Sequence, residues 1–393
     1  MQELLLVGVG RTGPPYLAAA RRLGVRVHLV ELPERAALVG DQVERVTLCR
    51  GTSDELWAEA ASAAARTWRP DGVLAFSEPH VLGAALVQDE LGLPGPSLRA
   101  AVLSRNKALQ RGRFAAAGIG QPDYLITDRL ADARPWAQAR MPVVIKPLSS
   151  AGSIGVELVP DTTAYLAAAE RRGPEGRLLV EQAVAGPEYS WEALVREGKV
   201  WFANLTAKET TGPPQYVEVA HRVAADVDER TRALVTEFGS AVLEALGMQT
   251  GIVHLEFRLT PDGPVVMEIA VRTPGDCLMD LLGLCYGVDW YELAVRLALG
   301  LELPPAPQEP TCFAASYLPI AAAGTVTAVQ GLAEVQAWPG VVEATVTVSP
   351  GDVIAPARSS DGRVGQVVLT ASSRTGLETS LQEVRQRLQV VTQ

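Results

Sequence analysis

The chain has 393 residues, with 45 acidic against 35 basic side chains and a formal net charge of −10, a balance that argues against a nucleic-acid scaffold. Hydrophobic residues make up 48%, charged ones 20% and aromatic ones 5%, the composition of a soluble α/β protein with no apolar run of the roughly 18 residues that a membrane span needs. Only four of the basic residues are lysines (Lys107, Lys146, Lys199 and Lys208), so a lysine should persist mainly where an ammonium does what a guanidinium cannot.

The length suits two or three domains, and no internal repeat is present. The first residues lack a basic n-region, so no signal peptide is expected. Cys49, Cys277, Cys285 and Cys312 lack metal-site or disulfide spacing, which fits a reduced, cytoplasmic setting.

In chain order, residues 4–10 read as a strand, 15–23 as a helix and 25–30 as a second strand. Residues 71–76 repeat the strand theme, and an apolar helix covers 81–91. Strands separated by helices imply a doubly wound parallel sheet. Gly92, Pro94, Gly95 and Pro96 break it. Between 97 and 303 come helices near 104–117 and 161–172, strands at 143–146 and 178–181, and two β runs around 252–270. Residues 301–310, with four prolines, read as a linker. Beyond it lies a Val/Thr-alternating β segment with turns at Gly324, Pro339-Gly340 and Pro350-Gly351, then a helix placing Leu377, Leu381, Val384 and Leu388 on one face. Three domains are expected: 1–96 Rossmann-like, 97–303 central with a lid subdomain at about 142–190, and 304–393 a small β-rich α+β domain.

Gly8, Gly10 and Gly13 satisfy the GxGxxG spacing after a strand, and Glu31 ends the next strand, as in a dinucleotide site. An NAD-dependent oxidoreductase would rest on this turn. Pro14 and Pro15 weigh against it, since they remove N–H groups from the helix start that should face a pyrophosphate.

A stronger signal lies near 252–270. Pro261, Asp262 and Gly263 suit a three-residue hairpin loop, in which Thr260 pairs with Pro264. Counting outward sets Glu256 opposite Glu268, and alternation puts His254, Glu256, Glu268, Ala270 and Arg272 on one face. Two facing carboxylates repel unless a cation lies between them. Oxygen-only ligands point to Mg²⁺, with a nucleotide phosphate as co-ligand. A solvated hairpin face is the plainer alternative, and His254 reads as structural.

Lys146 ends an apolar strand, an expensive place for a charge unless an anion meets it. A Ser/Gly loop follows at 149–156, where the backbone around Gly152 and Ser153 is suited to cradling phosphates beneath a flap. After the strand ending at Glu181, backbone groups at Gln182 and Val184 are placed to read an adenine edge, with Glu188 taking ribose hydroxyls. Lys208 is assigned to phosphate or substrate, with a loop position as its alternative, and Lys199 to a solvated turn.

The order Lys107, Lys146 with its loop, Glu181 to Glu188, Glu256, Glu268 and Arg272 resembles the ATP-grasp superfamily of carboxylate–amine ligases along nearly the whole chain. The resemblance implies the ATP-grasp fold, with a Rossmann-like first domain and a C-terminal domain completing the active site. It implies ATP contacts at Lys107, Lys146 and Glu181, with Mg²⁺ (Mn²⁺ as substitute) on Glu256 and Glu268. Arg272 would hold phosphate and the reacting intermediate. Within the superfamily the chain is similar to the L-amino-acid ligases of the bacilysin-synthetase type. Glu218 and His221 resemble their substrate motif, Arg272 to Asp276 their turn beside the acyl-phosphate with its Gly275, and Glu78 an amine-contacting loop. Many superfamily members carry Asn where this chain has Ala270, which removes one metal ligand.

The implied reaction is ATP-dependent amide formation between small-molecule carboxylate and amine substrates, most simply amino acids, through an acyl-phosphate. Lys146 and Arg272 would be catalytic. Carboxylation through carboxyphosphate is the alternative within this class, and the NAD oxidoreductase or a non-catalytic nucleotide-binding module lies outside it. A homodimer without nucleic-acid or membrane partners is expected.

Overall fold

Leu4, Leu5, Leu6 and Val7 are all at most 1% exposed, because β1 (Glu3–Val7) lies inside a parallel sheet covered on both faces. Leu4 and Leu6 face one core with Tyr16 and Leu17, and Leu5 and Val7 face another with Trp57 and Ala61. The computed structural model describes residues 1–10, 12–173 and 176–393. Beside β1 lie β2 (Arg26–Glu31), β3 (Arg45–Leu48) and β4 (Gly72–Leu74), in the order β3-β2-β1-β4. The helix Asp54–Trp68, capped by Ser53, covers one face. The helix Trp290–Ala298, from much later in the chain, packs on the other.

The glycine turn after β1 does not present its amides to a ligand. Glu31 Oε2 accepts from the Val9 and Gly10 N–H groups at 2.6 and 3.1 Å, and its Oε1 accepts from Leu32 N–H. The acid that a dinucleotide site turns toward a ribose is here sealed into the turn. Gly8, at φ +78°, packs so tightly on the His80 ring that a Cβ would fall 1.9 Å from it. Arg11 of this turn lies outside the described residues. The oxidoreductase reading therefore loses its binding groups.

A second, four-stranded sheet contains β5 (Tyr124–Thr127), β6 (Val143–Pro147), β7 (Glu157–Val159) and β8 (Leu178–Gln182), in the order β5-β8-β6-β7. It spans 124–182, so it starts earlier than the expected 142. The helices Leu130–Gln138 and Thr162–Arg172 bury Ala133, Ala137, Tyr165 and Ala168 against it.

The third sheet holds the site. It is built from β9 (Glu188–Arg196), β10 (Lys199–Thr210), β11 (Glu218–Arg222), β12 (Gly251–Thr260) and β13 (Gly263–Ala270). The chain beyond the proline-rich stretch supplies β14 (Phe313–Tyr317), β15 (Gly324–Gln330), β16 (Val341–Val346), β17 (Val353–Ile354), β18 (Gly365–Ala371) and β19 (Gln389–Thr392). Three of these extend the same sheet, whose order is β13-β12-β9-β10-β11-β14-β18-β16; the others form a small sheet β17-β15-β19. The linker thus leads back into the central sheet instead of to a separate one. The helix Glu229–Leu246 lies over Trp191 of β9, and Gly239 permits it, since a Cβ there would sit 2.9 Å from the indole. The helix Arg374–Arg387 buries Leu377, Leu381 and Val384 as the spacing predicts, with Leu388 buried just beyond it. All four cysteines are free, and no described helix is long and apolar enough to cross a membrane.

Candidate active site

The hairpin β12–β13 brings Glu256 opposite Glu268, by a different route from the one the sequence suggests. Thr260 pairs with Gly263, so the turn is two residues long, one fewer than expected. The register then shifts between Glu256 and Phe257, where Met267 forms a bulge, and the shift restores the pairing. His254, Glu256 and Arg258 of β12, with Glu268, Ala270 and Arg272, line one cleft of about 1060 Å³.

Each facing carboxylate has its own lysine. Lys107 Nζ lies 2.9 Å from Glu268 Oε1, and Lys208 Nζ lies 2.6 Å from Glu256 Oε1. Lys208 is sunk among three acids, with Glu218 at 3.2 Å and Glu188 at 3.6 Å. Burial works to lower its pKa, but Glu256, Glu218 and Glu188 together hold it well above the ordinary lysine value. Burial likewise works to raise the Glu256 carboxyl, and Lys208 and His254 outweigh it, keeping Glu256 well below the usual range. His254 is clamped between Glu192 Oε1 at 3.0 Å and Glu256 Oε1 at 3.1 Å, and these bonds overcome burial to lift it to about 9. Both ring nitrogens therefore donate at neutral pH. The donor set fits Mg²⁺, two hard carboxylate oxygens on paired positions, and His254 is an orienting group behind one of them. Among the described residues no group of three or more His, Cys, Asp or Glu forms a metal cage.

Toward the second sheet, Lys107, Lys146, Gly152 and Ser153 line the same cleft, as do Glu181, Gln182, Val184 and Glu188. Lys107 opens the helix Lys107–Ala116, whose N-cap Asn106 accepts from the Ala108 and Leu109 amides. The anion that meets Lys146 is Glu181, 2.6 Å away on the neighbouring strand, and Glu181 also pairs with Arg111. Burial lowers the Lys146 pKa, with Glu181 offsetting part of the effect. For Glu181 burial acts upward, but Arg111 and Lys146 prevail and keep the carboxylate charged. Glu181 thus holds Lys146 in place, and its own oxygens are committed. Gln182 and Ala183 donate their amides to the Asp123 and Pro142 carbonyls at 2.9 Å, which narrows the expected base-reading edge to Val184 and the outer carbonyls. Glu188 is paired with Arg258 at 3.0 Å. The 149–156 loop is tied down on three sides: Lys107 Nζ donates to the Ser150 carbonyl at 2.6 Å, Ser153 Oγ to the Tyr216 carbonyl, and the Ser360 amide to the Gly152 carbonyl.

At the other end, Arg272 Nε donates to Glu78 Oε2 at 2.7 Å, and Arg105 donates to Glu78 Oε1 at 3.1 Å. Burial raises the Glu78 pKa, yet the two arginines hold it below its ordinary value. Glu78 therefore steadies Arg272 and does not line the cleft. Glu218 does line it, between Lys208 and Ser360 Oγ. His221 is 1% exposed and sits behind the wall, 3.1 Å from Asp276. Gly275 also lies off the wall, its carbonyl accepting the Leu278 amide. Arg111, Arg258 and Glu192, which hold Glu181, Glu188 and His254, were not legible as parts of the site. Arg111 alone had a signal, since it stands four residues after Lys107 on one helical face.

Family models match residues 17–95 (ATP-grasp N-terminal domain), 139–280 (ATP-grasp domain) and 316–393 (L-amino acid ligase C-terminal domain 2). An uncharacterized protein, y4rH of Sinorhizobium fredii, is 30% identical over 97% of this chain and 81% of its own length. The chain belongs to the ATP-grasp ligases, beside the L-amino-acid ligase branch. Carnosine synthase 1 of Gallus gallus is 28% identical to this ATP-grasp ligase over 84% of the chain, which spans only 40% of that protein. The crystal structure of an L-amino acid ligase from Bacillus licheniformis superposes with a TM-score of 0.85, at 24% identity, covering 100% of this chain and 99% of that one. The two structures share one fold, in which the cleft lies between the β5–β8 sheet and the eight-stranded sheet.

Proposed function

We infer that this ATP-grasp ligase joins two small molecules, with amino acids as the leading class, into an amide through an acyl-phosphate. One observation carries the reading: two lysines, two paired carboxylates and Arg272 line a single cleft. Lys107 and Lys146 are placed to neutralise the phosphates of ATP, and the amide of Val184 to meet its base. Glu256 and Glu268 would hold Mg²⁺, which when bound neutralises phosphate oxygens and favours in-line transfer. The donor carboxylate attacks the γ-phosphorus, the bridging P–O bond breaks and ADP leaves. Arg272, steadied by Glu78, faces the charge that builds on the acyl oxygens. The acceptor amine then forms the C–N bond, and the C–O bond to phosphate breaks. Phosphate leaves with the electron pair. Water would hydrolyse the acyl-phosphate, and the loop tied down at Gly152 by Ser360 supports its exclusion.

Carboxylation through carboxyphosphate has less behind it, because the C-terminal match is to a domain of L-amino acid ligases. A phosphate-release screen of amino-acid pairs with ATP and Mg²⁺, followed by product mass, tests the reading. Phosphate release that depends on both partners, with an adduct one water lighter than their sum, supports it. Release that depends on bicarbonate instead defeats it.

A further inference from the structure

The glycine turn after β1 still lacks a task, since Glu31 takes the amides that a dinucleotide would need. The helix Pro14–Arg22 starts directly after Gly13, with Pro14 and Pro15 in its first two positions. Their fixed φ presets the opening turn, and the next residue is Tyr16. Its ring is buried between Phe76, stacked at 4.2 Å and 7°, and Tyr291, edge-on at 4.9 Å. Its hydroxyl lies 2.6 Å from Thr273 Oγ1. Thr273 donates its own proton to the Phe76 carbonyl at 3.3 Å, so Tyr16 is the donor of the shorter bond. Burial pushes the phenol up, and the hydroxyl keeps its proton.

Both contacts of Tyr16 lead to Arg272. Thr273 follows Arg272 in the chain, and its carbonyl accepts from Arg272 Nη1 at 2.8 Å. Phe76 stands two residues before Glu78, whose Oε2 accepts from Arg272 Nε at 2.7 Å. Gly8, from the same glycine turn, packs on His80, two residues beyond Glu78. The first domain therefore reaches Arg272 along two lines, through the Phe76–His80 loop and through Thr273, and Tyr16 touches both. Arg272 lines the cleft, and the buried Tyr16 and Thr273 lie behind it. A phenylalanine at position 16 would serve the packing alone. The hydroxyl adds one bond, made to the residue beside Arg272.

We propose that Tyr16 is a positioning residue for Arg272: its hydroxyl, acting through Thr273, fixes the turn from which Arg272 faces the acyl oxygens. This rests on the ligase reading and gives the glycine turn a task in place of a dinucleotide. The turn and its two prolines deliver one hydroxyl across the domain boundary. Tyr16 itself touches neither substrate nor nucleotide, and its effect is on the aim of the guanidinium. A displaced arginine still binds anions, but it meets the developing charge less well, so the loss falls on turnover and not on nucleotide affinity.

The test gives the full chain ATP, Mg²⁺ and a productive amino-acid pair, and compares variants of the two hydroxyl residues. Tyr16→Phe keeps both ring contacts and removes only the hydroxyl. It should lower kcat for amide formation about tenfold and leave KM for ATP unmoved. Thr273→Val should lose at least as much, whereas Thr273→Ser, which keeps the oxygen, should stay within about twofold of wild type. The losses should not multiply: Tyr16→Phe combined with Thr273→Val should match Thr273→Val alone, since both remove the same bond. Multiplied losses overturn the proposal, as does a Tyr16→Phe variant within about twofold of wild type. So does an equal loss in Thr273→Ser and Thr273→Val, the mark of a packing contact. If thermal melting shows Tyr16→Phe unfolded, the two Thr273 variants decide alone: a loss in Thr273→Val that Thr273→Ser escapes supports the proposal, and any other pattern overturns it. A wild type that releases no ADP with any pair defeats the ligase reading and the proposal with it, whereas an active wild type with unaffected variants defeats the proposal alone.

Discussion

Replacing Glu181 by Gln probes the charge balance around Lys146, the lysine proposed to meet the nucleotide. The carboxylate is 2% exposed and serves two buried cations, Lys146 and Arg111. An amide keeps some hydrogen bonding but no charge, so two cations would remain with nothing to balance them. Removing one partner of a buried pair costs about 3–5 kcal/mol, and the retained amide acceptor places the expected loss near the lower end. Urea unfolding without nucleotide measures it, and saturating ATP should restore part of the loss by bringing phosphates to Lys146. A second readout follows from the direction of the Lys146 shift. Burial already lowers its pKa and Glu181 opposes this, so the variant's lysine should lose its proton at lower pH. KM for ATP should then climb as pH rises above neutrality in the variant and stay flatter in the wild type. A variant within about 0.5 kcal/mol of wild type, with an unchanged pH profile, refutes the reasoning.

Glu268→Gln should reduce ATP turnover by at least about 100-fold, read as ADP release, and full turnover would remove the metal assignment. Arg272→Ala should cut amide formation by about 10²–10³-fold while nucleotide binding, followed by calorimetry, changes little; an unchanged amide yield counts against its role. His80 is buried against Trp57, and burial lowers its pKa from 6.5 to about 4. Between those values the unfolded chain binds a proton that the folded chain refuses, so stability should fall as pH drops through that window, by up to about 3 kcal/mol. His80→Gln should flatten that part of the stability curve, and an identical slope in both proteins would assign the acid sensitivity elsewhere.

The opposed carboxylates were legible in the sequence although the turn was not. A three-residue loop and a regular ladder, and a two-residue loop with one bulge, both set Glu256 against Glu268. The bulge at Met267 is decided by packing, which turn composition does not report. The glycine turn shows the reverse case. Its spacing fits a dinucleotide, and Pro14 and Pro15 were the honest signal, but the Glu31 carboxylate that closes it is a tertiary fact. The residues proposed to meet the nucleotide could be picked out because each sits on a short local pattern. Their partners could not, since Arg111 reaches Glu181 across 70 residues. The first strand of the second sheet went unnoticed because Tyr124–Thr127 is four residues long and carries little periodicity.

The strand carrying Glu218 and His221 has β10 on one side and β14 on the other. A chain cut at the proline-rich stretch would leave β11 as a raw edge, its backbone groups open to any passing strand. Such a fragment should aggregate, and adding the missing piece in trans should rescue it by strand addition. Exchanging C-terminal segments between related ligases has the same requirement. The graft must bring β14, β18 and β16 as one block, since each covers the edge that the one before it would leave open.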